Sequence, residues 1–116
     1  MADQPAISCR QPAALRLSSP KLKNLLLKIE PIQVPGTVDG LHIRGTLVFS
    51  VAIDTSGGVT CIEFVSGHPV MVSTAMESIT LWKFRPYFVN GKKQEFYGRI
   101  TIKYEAIGRG VTYRVI

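Results

Sequence analysis

Alternating apolar and polar residues predict a pair of strands in the middle of the chain. Between residues 46 and 54 every second residue is large and apolar, and most residues between them are small or polar. A period of two is typical of a strand with one buried face. Asp54 and the Gly57-Gly58 pair then favour a turn, because aspartate bonds nearby backbone groups and glycine readily adopts positive φ. Residues 59–65 are predicted to return as the second strand of a hairpin.

A helix is predicted to follow this hairpin. Residues 66–69 read Ser-Gly-His-Pro, and either Ser66 or His68 could cap a helix that has proline in its first turn. From residue 72 to residue 82 apolar side chains recur every three or four positions, which predicts an amphipathic helix packed on the core. Pro86 is predicted to end this segment.

A second hairpin turn and a long last strand are predicted after the helix. Asn90-Gly91 lies between two extended runs, 86–89 and 92–106, and Asn-Gly is a strong signal for a two-residue hairpin turn. Three antiparallel strands expose one apolar face, which a single helix can cover. The pattern therefore predicts an α+β fold: a three-stranded antiparallel sheet covered on one face by one helix, in β-β-α-β order.

The two ends of the chain have weaker patterns. Residues 1–17 lack sustained periodicity and are predicted to be a flexible arm. The Ser-Pro pair at 19–20 is typical of a helix start, and residues 22–29 have helical spacing, although this leucine-rich run could also begin a strand. We expect a single domain over 18–107 with a short N-terminal helix, and a tail or short extra strand over 108–116.

Composition and cysteine content agree with a small globular domain. The chain has 116 residues, of which 46% are hydrophobic and 19% are charged. No apolar run approaches the roughly 18 residues that a membrane span requires, so no span is expected in this chain. Two cysteines are too few for a disulfide framework. Cys61 is expected to be a small residue in or near the core, and a bridge to Cys9 would require an oxidising compartment.

The charge distribution gives the last third of the chain a basic surface. The net charge is +6, and eight of the fourteen basic residues lie between Lys83 and Arg114. Such a surface could support solubility and protect strand edges, or it could attract an acidic partner. The aromatic residues of the same region are needed for so small a core, so nucleic-acid binding is not expected.

Residues suited to catalysis or metal binding are scattered. His42 and His68 have no zinc-binding spacing, and a catalytic pair of Cys61 with His68 is disfavoured because a strand cysteine in apolar surroundings is a poor nucleophile. Gly57-Gly58 lacks the context of a phosphate-binding loop. We therefore expect no enzyme activity, no metal site and no cofactor.

Five segments, in the right order, resemble the C-terminal domains of TonB proteins. The chain departs from the family pattern at residues 31–35, which precede the five segments. These residues keep two prolines of the family's "P-x-Y-P" lead-in but lack its tyrosine. The matching segments are the hairpin 45–65, the Ser-Gly-His-Pro junction 66–69, the helix end 75–82 with its "W-x-F-x-P" signature 82–86, the Asn-Gly-Lys turn 90–92, and the strand Ile100–Tyr104.

The resemblance implies a periplasmic protein-binding domain. TonB-like domains pair with a short extended segment of outer-membrane transporters, the TonB box, and relay energy for uptake. Under the family topology the last strand would be an edge strand that accepts one more strand. Alternatively, a stand-alone TonB-like scaffold module would self-associate through this edge as a homodimer. The predicted partner-binding residues are Arg99, Ile100, Thr101, Ile102, Lys103, Tyr104 and Glu105.

Overall fold

The computed structural model describes residues 15–33, 42–108 and 110–116. The fold is α+β, with a mixed, curled sheet and two short helices, and strands predominate. The elements in chain order are β1 (Leu15–Arg16), α1 (Ser19–Leu25), β2 (Leu26–Lys28), β3 (His42–Ile53), β4 (Val59–Ser66), a 3₁₀ turn (Pro69–Met71), α2 (Val72–Ile79), β5 (Lys83–Phe84), β6 (Tyr87–Val89), β7 (Lys92–Gln94), β8 (Phe96–Ile107) and β9 (Gly110–Val115).

Strands β3 and β8 form the centre of the main sheet. They pair antiparallel along their full length, from His42 opposite Ile107 to Ile53 opposite Phe96. On its other side β3 pairs antiparallel with β4, as the hairpin prediction requires. The predicted β-β-α-β order is therefore confirmed for β3, β4, α2 and β8.

The predicted three-stranded sheet is wrong in its strand number, because β8 is an interior strand. Strand β9 pairs antiparallel with β8 from Ile102 to Ile107, and β1 pairs parallel with β8 at Phe96 and Tyr97. The main sheet thus has five strands. The extra strands form because apolar residues at alternate positions of β9 pack on the core, while β1 pairs through its backbone. Of the two alternatives predicted for residues 108–116, a tail or a short extra strand, the strand is the one observed.

The core lies on one face of this sheet. Every second residue of β8 is buried, and Phe49, Phe96 and Trp82 are among the fully buried side chains. Helix α2 begins after a 3₁₀ turn, where the backbone N–H of Val70 donates to Nδ1 of His68 at 3.2 Å. His68, rather than Ser66, is therefore the capping residue.

Trp82 connects the helix end to the N-terminal segment. Its indole N–H donates to the carbonyl oxygen of Glu30 at 2.9 Å and to the hydroxyl of Ser78 at 3.1 Å. The hydroxyl of Ser78 also donates to the Glu30 carbonyl. Because this buried indole is fully satisfied by these contacts, it holds residues 26–30 against the end of α2.

The N-terminal segment contains both a short helix and a strand, the two alternatives predicted for its leucine-rich run, one after the other. Helix α1 ends at Leu25, and β2 then pairs with β5. Leu17 and Leu22 are buried, so the fold includes residues 15–17, which the domain boundary expected at residue 18 had left out. The rest of the expected arm, residues 1–14, and residues 34–41, which include the end of the lead-in 31–35, lie outside the described residues.

Two predicted turns have the expected chemistry. The carboxylate of Asp54 accepts backbone N–H groups from Ser56 at 2.9 Å and from Gly58 at 3.0 Å. Asn90 and Gly91 have φ values of 52° and 79°, the positive angles that a two-residue hairpin turn requires.

Candidate functional site

The predicted partner-binding residues occupy the second half of β8. Ile100, Ile102 and Tyr104 point to the core and are buried, whereas Arg99 and Lys103 are exposed on the opposite face. Burial raises the pKa of the Tyr104 hydroxyl. The buried side chains fix the strand in the core, so the groups left for a partner are the backbone and the exposed side chains.

The backbone side of β8 that faces β1 and β9 is here called the outer edge of β8. Its carbonyl oxygens accept hydrogen bonds from both ends of the described chain, and β9 continues the pairing from Ile102 onward. The donors and acceptors are Leu15 N–H to Glu95 (3.0 Å), Leu17 N–H to Tyr97 (2.9 Å), the Ser19 hydroxyl to Arg99 (2.9 Å) and Ile116 N–H to Thr101 (2.9 Å).

The expectation of an open edge at Arg99–Glu105 is therefore corrected. The first part of the outer edge is covered by residues 15–19, and the second part by 110–116. Buried polar backbone groups are costly to leave unpaired, so these segments satisfy an edge that the three-stranded arrangement would leave open. Whether Arg99–Glu105 bind a partner stays a prediction.

A glycine allows the N-terminal segment to approach β8 closely. A Cβ atom at Gly98 would lie 2.5 Å from the Leu17 carbonyl oxygen and 2.5 Å from Cδ1 of Leu22. Real Cβ atoms do not make contacts this short, so a side chain at residue 98 would displace the segment. Gly98 therefore sets how residues 15–22 cover the outer edge.

Strand β9 is held by backbone pairing and by partial burial. Val111, Tyr113 and Val115 pack against the core but are only partly buried, whereas the inward residues of β8 are fully enclosed. Gly108 has a φ of +62° in the turn that leads into β9. Because local stability follows burial and pairing, β9 is held less tightly in the sheet than β8.

Comparison with known families decides the affiliation. Residues 35–106 match the family described as the Gram-negative bacterial TonB protein C-terminal domain. The chain belongs to the TonB C-terminal domain family. No curated protein and no solved structure gives a significant match. Membership implies a TonB-like role in energy transduction in a non-enzymatic, periplasmic family, and it suggests outer-membrane transporters as partners.

The TonB C-terminal domain match stops short of the segments that cover β8. It contains β3, β4, α2 and β5 through nearly all of β8, but neither β1 with α1 nor β9. Within the matched span alone, β8 would be an edge strand, as the family topology implies. Both covering segments come from outside that span.

The sequence patterns missed these two segments as parts of the site. For β9 a signal existed, because Val111, Tyr113 and Val115 alternate with polar residues. For residues 15–17 there was little signal, since a two-residue parallel strand pairs through its backbone and shows no periodicity. The only sequence clue was Gly98, which interrupts the alternation of β8 and marks a close backbone approach.

The other side of the sheet ends at β4 in the part of the chain that the structure describes. Phe64 and Val65 near its end are exposed by 40% and 36%. Cys61, in the middle of β4, is disulfide-bonded, so it offers no thiolate for a catalytic pair with His68. Cys9 is the only other cysteine in the sequence and lies outside the described residues.

The described residues contain no group of three or more side chains suited to hold a metal ion. His42 is engaged with Glu105, with 2.6 Å between Nε2 and Oε2, and His68 caps the 3₁₀ turn. Within the same residues, no helix is both long and apolar enough to cross a membrane.

Proposed function

We propose that this domain relays energy for uptake in the periplasm by pairing β8, at Arg99–Glu105, with an extended segment of an outer-membrane transporter. The observation that carries the proposal is the family match over 35–106, in which β8 would be the edge strand. Strand addition needs only an accessible strand edge and no catalytic residue. In this chain the same edge is covered by segments from outside the match.

A transporter segment would therefore exchange places with β9. The incoming strand would regain about as many backbone hydrogen bonds as β9 gives up, each contributing roughly 0.5–1.5 kcal/mol net. The apparent affinity then falls in proportion to the fraction of molecules whose β9 is detached; a population of about 1% weakens binding roughly a hundredfold. Weak, reversible binding suits a contact that must be released after each cycle.

The exchange also predicts which side chains the segment carries. Strand β9 places Val111, Tyr113 and Val115 against the core and leaves the residues between them exposed. A segment in the same position would need apolar residues at alternate positions to restore this packing. Polar or acidic residues between them would lie on the same face as Lys103.

A periplasmic location agrees with two observations. The family is periplasmic, and Cys61 is disulfide-bonded. Disulfides persist in oxidising compartments such as the bacterial periplasm and are rare in the cytosol.

A reversible lock on β9 tests the proposal. Ile102 and Val115 are opposite each other at the far end of the β8–β9 register, and opposite residues of antiparallel strands lie about 4.5–5.5 Å apart, within disulfide range. The double variant Ile102→Cys/Val115→Cys would hold β9 along its length when oxidised. We expect it to lose binding of a TonB-box peptide in calorimetry and to regain it on reduction.

The controls are the single variant Ile102→Cys and the wild-type chain, each measured before and after reduction. Both should bind under both conditions. A locked protein that binds as tightly as wild type would show that the peptide does not use the outer edge of β8.

A second candidate is a scaffold module that self-associates through a sheet edge. Exposed Phe64 and Val65 on β4 favour it, because a strand edge with apolar side chains is prone to pair with a second copy. Sedimentation over a wide concentration range tests it: a dimer that dissociates on Phe64→Lys substitution supports the scaffold, and a strict monomer excludes it.

A further inference from the structure

A concave groove lies on the exposed face of the main sheet, away from the core. Its volume is about 570 Å³, and it spans β3, β8 and β9. Residues at exposed positions line it and alternate with core-facing residues along each strand. The side chains that form its surface are Arg44, Thr46, Lys103, Glu105, Thr112 and Arg114.

The charges in this groove are unbalanced. Three cations face a single carboxylate, that of Glu105, and Glu105 is engaged by His42 at 2.6 Å. Arg44 is opposite Glu105 in the register, but the described residues provide no ion pair for Arg44, Lys103 or Arg114. The groove therefore carries an excess of positive charge, three cations against one carboxylate.

The pairing register places two of these cations directly against each other. Lys103 on β8 is opposite Arg114 on β9. Opposite residues of antiparallel strands have Cβ atoms about 4.5–5.5 Å apart, and like charges in this arrangement are destabilising. A local arrangement that opposes stability without an evident compensating contact is expected where a sequence serves binding.

We propose that the groove binds an acidic, extended peptide segment of a partner protein. Arg44 and Arg114 lie on strands to either side of β8 and are offset by two residues in the register. Two strand spacings of about 4.8 Å and an offset of about 7 Å along the strands separate their backbones by roughly 12 Å. Residues four apart in an extended chain lie on the same side about 13 Å from each other, so two such carboxylates span a similar distance. The guanidinium groups bind carboxylates in a bidentate manner, and the Thr46 hydroxyl can donate to the backbone of the segment.

This inference does not rest on strand exchange at β8. The groove uses the face of the sheet, and it is complete only while β9 is paired, because Arg114 belongs to β9. A ligand in the groove would therefore stabilise the paired form of β9.

The test is a binding measurement on the full chain with a defined peptide. The probe is a fluorescent, capped eight-residue peptide of alternating Glu and Thr, followed by anisotropy at low salt and by amide chemical shifts. We expect shifts at Arg44, Lys103 and Arg114. Each single variant, Arg44→Gln, Lys103→Gln or Arg114→Gln, should weaken binding about two- to fivefold, the range that exposed ion pairs give. The triple variant should abolish binding.

A matched control separates the groove from net charge. Lys93→Gln removes the same charge from β7, outside the groove, and should leave the dissociation constant unchanged. The three groove side chains that are changed are exposed, so the variants should fold, and circular dichroism is the check on their folding. An equal loss of affinity in Lys93→Gln, or equal binding of a Gln-Thr peptide, would overturn the site.

Inorganic phosphate provides the remaining comparison. If phosphate at the same concentration displaces the peptide and produces the same shifts at all three residues, the groove binds a compact anion and the peptide proposal is wrong. Displacement only at much higher phosphate concentration supports an extended acidic ligand.

Discussion

Replacing Gly98 by alanine tests how the outer edge of β8 is covered by the N-terminal segment. The added Cβ would lie 2.5 Å from the Leu17 carbonyl oxygen, and an ordinary contact begins at 3.4 Å, so the segment must move by about 0.9 Å (3.4 minus 2.5). The Leu17 N–H to Tyr97 carbonyl bond is 2.9 Å long. A shift of this size along it would stretch it to about 3.8 Å, which is no longer a hydrogen bond.

The expected destabilisation combines two effects. Overpacking next to Leu22 costs roughly 1–3 kcal/mol, and the broken hydrogen bond accounts for roughly 0.5–1.5 kcal/mol of this range. We expect the free energy of unfolding in urea to fall by about 1–3 kcal/mol with an unchanged m-value. Hydrogen exchange at the Leu15 and Leu17 amides should accelerate more than exchange in β3.

Gly110 supplies the matched control, because its nearest neighbour would be 3.8 Å from an added Cβ. Gly110→Ala should change stability by less than about 0.5 kcal/mol. If Gly98→Ala is equally neutral and the exchange at Leu17 is unchanged, residues 15–22 do not depend on Gly98 for their position, and the reasoning is refuted.

Three further changes have defined outcomes. Lys103→Gln should raise stability by a few tenths of a kcal/mol at low salt, because it removes the repulsion from Arg114; a loss of stability would contradict this. The pKa of Asp54 is lowered, and the largest cause is the hydrogen bond that its carboxylate accepts from the Ser56 hydroxyl. Its stabilising contribution is therefore present above about pH 4–5 and lost as pH falls through the folded pKa, below 3.8. The stability gap between wild type and Asp54→Ala, measured by urea unfolding, should narrow between pH 5 and pH 2; a constant gap would refute it. Reduction of the Cys61 disulfide should destabilise the chain by roughly 2–4 kcal/mol in the same assay, whereas no change would show that the bond does not constrain the unfolded chain.

The central hairpin, the helix start and the Asn-Gly turn could be predicted because their signals are local. Alternation from Leu47 to Ile53 sets the face of a strand, and Asn90-Gly91 supplies the required positive φ angles. Strand β3 begins at His42, four residues before the predicted start at residue 46. The sequence pattern misses this part of the strand because Gly45 interrupts the alternation. The structure explains this glycine, since a Cβ there would lie 3.2 Å from the Tyr104 hydroxyl.

The position of β8 inside the sheet could not be predicted, because it depends on contacts between distant segments. Alternation in β9 indicates that it could be a strand, but it does not indicate which neighbour it pairs with. The groove could not be predicted for the same reason, because its residues come from three strands whose pairing the sequence pattern does not give. Alternation along β8 predicts that Lys103 lies on the face opposite the core, but its position opposite Arg114 follows only from the register of β8 with β9.

The central claim is that a transporter segment takes the place of β9 beside the second half of β8, which includes residues 102–105 of the predicted binding strand. The most direct measurement is a set of nuclear Overhauser contacts in the full chain titrated with a TonB-box peptide. The account predicts backbone contacts from the peptide to residues 101–107, together with loss of the contacts between Tyr104 and Tyr113 that mark β8–β9 pairing. Peptide contacts along Val59–Ser66 with the β8–β9 contacts intact would contradict it.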